Sequence, residues 1–600
     1  MLTNLGNLFL IFSIISGFFI VIYPLFVRNF TANFYKYLLV SFNLSIISAF
    51  LILLYLFLSK DFRVISVLMN ISSLMEAKYI IAASWSSHET SLLFWCFITS
   101  CLTMIFYFQT DFKEAISYSV NSFIQICFLI CLYVGANPFR AITSMPEEGL
   151  GMNPSLQDIG IMIHPPLLYI SYGIFQIIYS MNIASLFTGN VPAIIANWSR
   201  CALGILLGAI ALGGWWAYRE LGWGGYWFFD PVENISLLIL VFAISYHHSL
   251  LQKNFELTKI IFGILPFLSA LIGTFFVRSG LLISVHSFAE SPSSSLLLAI
   301  SILILIFSFI AIAYFFKGKV SWPEYSSKHY FIQGGNLLWA ISGIVIILSI
   351  IFPVIYSIIF AEVIEVQGGF FINTLLPIML LSSMLSGLIY FNRNLGRLLV
   401  VLISNLAILF IAIFIMNASL IQAFSYFVAS IIISSSIIRA IEKFRSLTLN
   451  LSSISMLLGH AAIGILIASI CYNKQYGFSE NVIIKLHETT KFRNEFTILL
   501  TDVNYTNGKN YITQKANIRI MHNGNEIAKI NPELRFYPIE KTLSSEVGIY
   551  NSLFADWYGV LNNIKDNQVS LQIFYHPAIS LIWFSIFLAI FAILLRVRKR

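Results

Sequence analysis

Charge is what this chain has least of. Of its 600 residues only 10% are Asp, Glu, Lys or Arg, and 58% are hydrophobic. An ordinary soluble domain is about 25% charged, so the deficit excludes a typical water-exposed globule. Whole stretches, such as residues 335–360, hold no charge at all, and a helix needs about 20 apolar residues to cross the hydrocarbon core. Cysteine is sparse too: six residues (96, 101, 127, 131, 201 and 471), all in or at the ends of apolar runs, with no CxxC pair. That excludes a disulfide scaffold and a thiol-redox centre. Cys127 and Cys131, four apart inside one span, read as small packing residues. Acidic residues are rare inside the apolar runs, which argues against an ion-coupled transporter. No low-complexity segment and no short internal repeat occurs.

The net charge of +8 suggests nucleic acid in a soluble protein. Here it fits the accumulation of Lys and Arg in cytoplasmic loops, and no nucleic-acid partner is expected. The fold class is an all-α polytopic membrane protein of about fifteen spans, near 6–26, 37–58, 91–109, 119–136, 166–184, 199–217, 233–251, 259–278, 294–315, 335–360, 372–390, 398–416, 421–439, 453–471 and 578–595. The first run lacks a basic leader and a cleavage site, so a retained span is expected. One set of short loops holds Arg28 and Lys36; Lys253 and Lys259; Lys317, Lys319 and Lys328; Arg393 and Arg397; and Arg439, Lys443 and Arg445, and the tail Arg596–Arg600 joins it. The expected topology therefore puts the N-terminus outside and the C-terminus in the cytoplasm. Residues 472–577 are polar, with alternating runs at Asn481–Leu486, Phe496–Thr501, Ala516–Met521 and Val569–Phe574, and read as a small β-rich domain on the outer side. Residues 1–471 form the helical membrane domain, and 578–600 the final helix and basic tail. His487 and His522 stand alone and read as surface residues.

Residues 214–236 read GWWAYRELGWGGYWFFDPVENIS. Trp215, Trp216, Trp223, Tyr226, Trp227, Phe228 and Phe229 crowd a short stretch, interleaved with Gly224, Gly225, Asp230, Pro231, Glu233 and Asn234. An interfacial aromatic belt explains two or three of the rings. Seven of them, with glycines that let backbone approach a ligand closely, point to a site for a large, flat, mostly apolar molecule. His164, in GIMIHPPLLYISYG, precedes this loop, and His286, in FVRSGLLISVHSF, follows it, on the same face. Singly, each reads as a hydrogen-bonded structural histidine. As a pair, two imidazoles can occupy both axial positions of haem iron, and haem is a flat ligand of the required kind. His248 (ISYHHSL) and His460 (MLLGHAAIG) lie inside spans, at a common depth within boundary error. They fit a buried b-type haem, with a satisfied intramembrane histidine as the plainer alternative and His247 as a competing ligand. Trp85, His88 and Glu89 open the third span, where they serve as a helix cap or line a ligand path. The stretch 137–165 leads into His164 and shapes the same face.

WGGYWFFDPVEN resembles the tryptophan-rich WWD signature of the haem-handling superfamily that includes CcmC, CcsA and CcmF. The length, the span number, the late outer β-rich domain and the phrases WSSHETSLLFW, NPSLQDIGIMIHPPLLYISYG, GTFFVRSGLLISVHSF and YPIEKTLSSEVGIY resemble the CcmF family in particular. One departure is visible: Phe229 stands where the family core has its third tryptophan, so an indole N–H donor is absent there.

The resemblance implies a haem lyase of the system I cytochrome c maturation pathway, in the inner membrane of a bacterium or of a mitochondrion that keeps this pathway. It implies His164 and His286 as ligands of an arriving substrate haem, the WWD loop as its contact surface, and His248 and His460 as ligands of a resident haem b that keeps the incoming haem ferrous. Trp85, His88, Glu89 and Arg278 are possible supports. Implied partners are a CcmE-type haem chaperone, CcmH/CcmI-type thiol and presenting proteins, and the CxxCH thiols of apocytochrome c. A haem exporter without lyase chemistry and a haem-free assembly platform are the competing functions. No protein thiol or acid–base dyad stands out as a chemical catalyst.

Overall fold

The computed structural model describes residues 1–26, 32–110, 114–189, 191–252, 256–284, 293–316, 327–391, 394–493, 495–565 and 568–597. The helices are α1 (Leu2–Phe26), α2 (Ala32–Leu58), the short α3 (Ile65–Leu68) and α4 (Ala77–Ala83), α5 (His88–Thr110), α6 (Ala115–Gly135), α7 (Ile159–Thr188), α8 (Ile195–Glu220), α9 (Pro231–Ser249), α10 (Glu256–Arg278), α11 (Ser294–Phe316), α12 (Ser327–Phe360), α13 (Gly368–Leu388), α14 (Leu395–Phe414), α15 (Leu420–Arg445), α16 (Leu451–Tyr476) and α17 (Ile579–Leu594). Among the described residues, thirteen helices are long and apolar enough to cross a membrane. Each expected apolar segment falls on one helix. Two of those helices lie outside the thirteen: α9, which carries Glu233, Asn234 and two histidines, and α17, which has 16 residues.

Long helices follow from the solvent. In hydrocarbon each backbone N–H and C=O must be satisfied within the segment. Apolar area cannot drive helix onto helix there, so small residues and buried polar contacts set the packing. Ser100 Oγ donates to Gln125 at 3.0 Å, Asn121 to Thr103 at 2.9 Å and Gln176 to Asn121 at 3.0 Å, joining α5, α6 and α7. Asn182 reaches Tyr246 of α9 at 3.0 Å, and Asn336 of α12 reaches Ser249 at 3.1 Å. α12 closes onto α9 because Gly343 has no side chain; a Cβ there would lie 2.5 Å from the Phe242 ring.

Between α16 and α17 the chain forms an antiparallel β-sandwich. Its strands are β1 (Phe478–Lys485), β2 (Thr489–Phe492), β3 (Phe496–Asn507), β4 (Ile512–His522), β5 (Asn525–Ile530), β6 (Glu533–Tyr537), β7 (Thr542–Glu546), β8 (Gly548–Tyr550), β9 (Ala555–Lys565) and β10 (Gln568–Pro577). One sheet runs β1-β10-β9-β8; the other runs β2-β3-β4-β6-β7, with β5 also on β4. Ile498, Leu500, Ile518, Ile520, Val569, Leu571 and Ile573 fill the space between them, as inward positions of alternating strands do. The expected runs of alternation lie in β1, β3, β4 and β10.

The sandwich is joined stiffly to the membrane helices. α16 runs into β1 and β10 into α17, while β1 pairs with β10 from Phe478↔Tyr575 to Lys485↔Gln568 and α16 packs on α17. Asn473 donates to the Pro577 carbonyl at 2.8 Å. A second anchor is Tyr218 of α8, whose hydroxyl donates to Asp556 at 3.2 Å. Asp556 sits opposite His576 in the β9–β10 register. Burial pushes the Asp556 carboxyl up to about 6 and the His576 imidazole down to about 4.

The fold thus favours a neutral Asp556. Its contribution is complete below the ordinary value of 3.8 and is lost as pH rises through about 6. Asp556→Asn keeps an acceptor for Tyr218 without the charge. It is expected to be more stable than wild type by about 2 kcal/mol above about pH 6, with the difference shrinking towards zero as pH falls to about 4. His576 titrates in both proteins and cancels in the difference. Thermal unfolding in detergent across that range checks this; a pH-independent difference contradicts it.

Candidate functional site

The aromatic loop joins α8 to α9, and its acidic residues hold its shape. Glu233 accepts from the backbone N–H of Phe228 at 2.9 Å and of Asp230 at 3.1 Å. Asp230 caps α9 by accepting from Val232 N–H at 2.9 Å, and it also accepts from Ser284 Oγ at 2.7 Å. Asn234 donates to the Phe229 carbonyl at 2.7 Å. Pro231 occupies the first helical turn, where a missing N–H costs nothing. The chain turns through positive φ at Gly222 (66°), Gly224 (68°) and Phe229 (57°).

The rings fall into groups. Trp216 is buried and donates its indole N–H to the Ser155 carbonyl at 3.0 Å. Trp215 lies under the Arg219 guanidinium at 4.5 Å. Trp223 meets Phe228 edge-on at 4.7 Å, and Trp227 meets Phe229 edge-on at 6.2 Å. Phe229 stacks on Phe371 of α13, 4.8 Å away and 3° from parallel, so its phenyl ring ties the loop to α13. Tyr226 packs edge-on to Trp583 of α17 at 5.9 Å. Trp223, at 37% exposed, and the half-buried Trp215, Trp227 and Phe228 keep ring surface available to a flat ligand. The sandwich presses on this loop from one side: a Cβ on Gly224 would lie 2.0 Å from the Phe574 ring. Gly225, whose Cβ would lie 2.8 Å from Phe228, lets that ring fold back.

His164 sits six residues into α7, a helix that begins earlier than the expected 166. Asp158 caps it, accepting from Gly160 N–H at 2.6 Å, and Pro165 and Pro166 lie inside it. The His164 Nδ1 is 2.7 Å from the Ala209 carbonyl of α8. A carbonyl can only accept, so Nδ1 carries the proton and Nε2 the lone pair, the tautomer a metal ligand requires. Gly213 makes room: its Cβ would lie 2.7 Å from the imidazole. His286 lies outside the described residues. Ser284, two positions before it, reaches Asp230 of the loop. On the same end of the bundle, Ser87 caps α5 through Thr90, and its hydroxyl donates to Glu89 at 3.0 Å. Trp85 stacks on Phe94 at 5.1 Å, His88 begins α5, and the buried Arg278 donates to Ser91 Oγ at 2.6 Å. Trp85, His88 and Glu89 lie at or just before the start of α5 and Arg278 at the end of α10, and the contacts of Trp85, Glu89 and Arg278 hold these helix ends together.

At the other end of α9, about 25 Å along its axis at 1.5 Å per residue, stand His247 and His248. Helices α9, α8, α17, α16, α13 and α12 pack successively into a ring, in which α9 and α16 take opposite sides without packing side by side. His248 and His460 are both half-buried. His460 is within electrostatic reach of both His247 and His248, although His248 is one residue from the end of α9 and His460 nine from the start of α16. His248 Nδ1 bonds to the Ile244 carbonyl at 2.9 Å, and His460 Nδ1 to the Tyr390 hydroxyl at 2.6 Å. Both arrangements leave Nε2 as the nitrogen for iron, so this pair fits a bis-histidine haem. His247 has a buried Nδ1 without a hydrogen-bond partner among the described residues; its ring is less well prepared than that of His248.

Ala209, Gly213, Ser284, Phe371, Tyr390 and Phe574 complete these sites, and no local motif marks them. Gly224→Ala is expected to undock the loop from the sandwich, raising hydrogen–deuterium exchange over 222–229 and β10 and destabilising by about 1–3 kcal/mol. Phe574→Ala in the same chain should restore most of the protection. Unchanged exchange in Gly224→Ala contradicts the contact.

The profile of the cytochrome C assembly protein family matches residues 85–284, and that of the CcmF C-terminal beta-sandwich matches residues 475–577. The chain is 30% identical to the cytochrome c-type biogenesis protein CcmF of Pseudomonas aeruginosa, covering 89% of this chain and 86% of that one. It is 29% identical to CcmF of Haemophilus influenzae over 89% and 88%, and 29% identical to NrfE of the same organism over 97% and 96%. A solved structure of the cytochrome c heme lyase CcmF superposes with a TM-score of 0.81 at 17% identity, over 99% of this chain and 96% of that one. The chain is a multi-pass membrane protein that belongs to the CcmF family of cytochrome c-type biogenesis proteins.

Proposed function

We propose that this protein is a cytochrome c haem lyase, holding substrate haem at the aromatic loop while the two thiols of an apocytochrome CxxCH add across its vinyl groups. Each addition forms one C–S bond and moves the thiol hydrogen to the vinyl carbon, with no net redox change. The observation that carries this reading is that His164, with its Nδ1 on the Ala209 carbonyl, lies against Gly213 of α8, the helix that leads directly into the loop of half-buried rings. The chain's contribution is positioning. Trp223, Trp227 and Phe228 seat the flat face, and His164 holds the iron from one side. His286 is proposed for the other side until the substrate's own histidine replaces a ligand. Trp85, His88, Glu89 and Arg278 support that end.

His248 and His460 are proposed to hold a resident haem b, which supplies a one-electron reductant. His248 is favoured over His247 because its Nδ1 already has a carbonyl acceptor. The loop end of the bundle is proposed to face the periplasm of a bacterial inner membrane, with the N-terminus outside and the C-terminus in the cytoplasm. Lys259, Arg397, Arg439, Lys443 and Arg445 would then lie on the cytoplasmic side, as the charge bias of such loops favours. A CcmE-type chaperone would deliver haem to this outer face, and CcmH/CcmI-type proteins would present the apocytochrome there. The membrane domain, residues 1–471, is proposed to hold both haems, and 472–577 to brace the loop.

The test is a set of detergent-purified proteins (wild type, His164→Ala, His248→Ala and His460→Ala) examined by reduced-minus-oxidised and pyridine haemochrome spectra. Covalent haem on a reporter cytochrome is measured in the same cells. Wild type and His164→Ala are expected to carry haem b, and either membrane variant to lose it. All three variants should lower covalent attachment by more than about tenfold. Haem-free wild type, or membrane variants with unchanged haem, contradicts the internal site. Normal attachment in His164→Ala contradicts the lyase role and favours export or a platform.

A further inference from the structure

His164 and His248 rest their Nδ1 atoms on backbone carbonyls. His460 differs, because its Nδ1 meets a side chain, the hydroxyl of Tyr390, at 2.6 Å. Tyr390 lies on the 3-10 turn Ile389–Phe391 that ends α13, seventy positions from His460 in sequence. The two rings are 5.8 Å apart and inclined by 49°, so they touch through this bond and not by stacking. The buried Ser436 of α15 lies beside the same hydroxyl.

Ligation fixes the direction of the bond. With Nδ1 engaged, Nε2 is the ring nitrogen left for iron, and an Nε2 ligand carries its proton on Nδ1. Nδ1–H then donates and the tyrosine oxygen accepts. An acceptor on Nδ1–H increases electron density on the imidazole and so favours the ferric state. It also fixes the rotation of the ring about its Cβ–Cγ bond.

We propose that Tyr390 is the positioning residue of the internal haem site: by accepting from His460 Nδ1–H it orients that ligand and lowers the potential of the haem held there. A lower potential makes the bound group a stronger reductant, which suits a site proposed to serve an incoming haem. This inference rests on the reading that His248 and His460 hold a haem, and the experiment separates the two.

Full-length wild type, Tyr390→Phe and Tyr390→Gln are purified with their haem, quantified by pyridine haemochrome, titrated potentiometrically and examined by electron paramagnetic resonance. Tyr390→Phe keeps the ring packing and removes only the acceptor. It is expected to hold haem in the wild-type amount, with the reduced-to-oxidised ratio at fixed potential raised about tenfold, equal to 59 mV for a one-electron couple. Its ferric g-values should shift as the ring rotates. Tyr390→Gln, which restores a carbonyl acceptor, should recover most of the potential. Haem retained in Tyr390→Phe with unchanged potential and g-values overturns the proposal and leaves the haem site standing. Loss of haem from Tyr390→Phe with retention in Tyr390→Gln supports the hydrogen bond; loss from both means Tyr390 acts by packing and overturns it. A wild type without haem overturns the site and the inference together.

Discussion

An imidazole offers iron one nitrogen only when the proton is kept on the other. At both ends of α9 the chain meets that constraint in the same way, with Nδ1 engaged by a protein oxygen. The oxygen belongs to Ala209 for His164, to Ile244 for His248 and to Tyr390 for His460. In water such a bond has little orienting value, because solvent competes for it. Inside a helix bundle the competition is weak, and ring direction is set before any ligand arrives, as is the tautomer of His164 and His248, whose carbonyl partners can only accept. The proximity of α7 to α8 at Gly213, and the ring of helices that keeps α9 and α16 apart, are the packing conditions for this.

The same economy governs the loop. Asp230, Glu233 and Asn234 are spent on capping α9 and on closing the turn, which frees the neighbouring rings to present their faces. Phe371 and Phe574 then grip the loop from α13 and from the sandwich. β1 and β10 continue directly from α16 and into α17 and pair with each other along their length. The helix that bears His460 is thus coupled by continuous secondary structure to the strand that presses on the aromatic loop.

How far the sequence carried this account depended on the range of each interaction. The helices were legible because lipid leaves an apolar segment few alternatives, and the strands of the sandwich because side chains alternate. His248 and His460 were legible as rare ionisable residues in apolar runs, and the loop through its density of rings. The start of α7 was not: the span was expected from 166, yet the helix begins at Ile159 behind the Asp158 cap and passes through Pro165 and Pro166. Depth was legible only coarsely, since His248 lies one residue from the end of α9 and His460 nine from the start of α16. Partners far away in sequence were invisible, among them Tyr390 for His460, separated by 70 positions, and Asp556 for Tyr218, separated by 338. Gly213 looked like one more small residue until His164 was seen against it.

The most direct test is a cryo-electron microscopy map of the protein purified with its native haem. Density bridging α9 and α16 is expected, with iron bound by Nε2 of His248 and Nε2 of His460. The Nδ1 atoms should remain on the Ile244 carbonyl and the Tyr390 hydroxyl. Iron bound through His247, through an Nδ1 atom, or at a haem lying outside that ring of helices would contradict it.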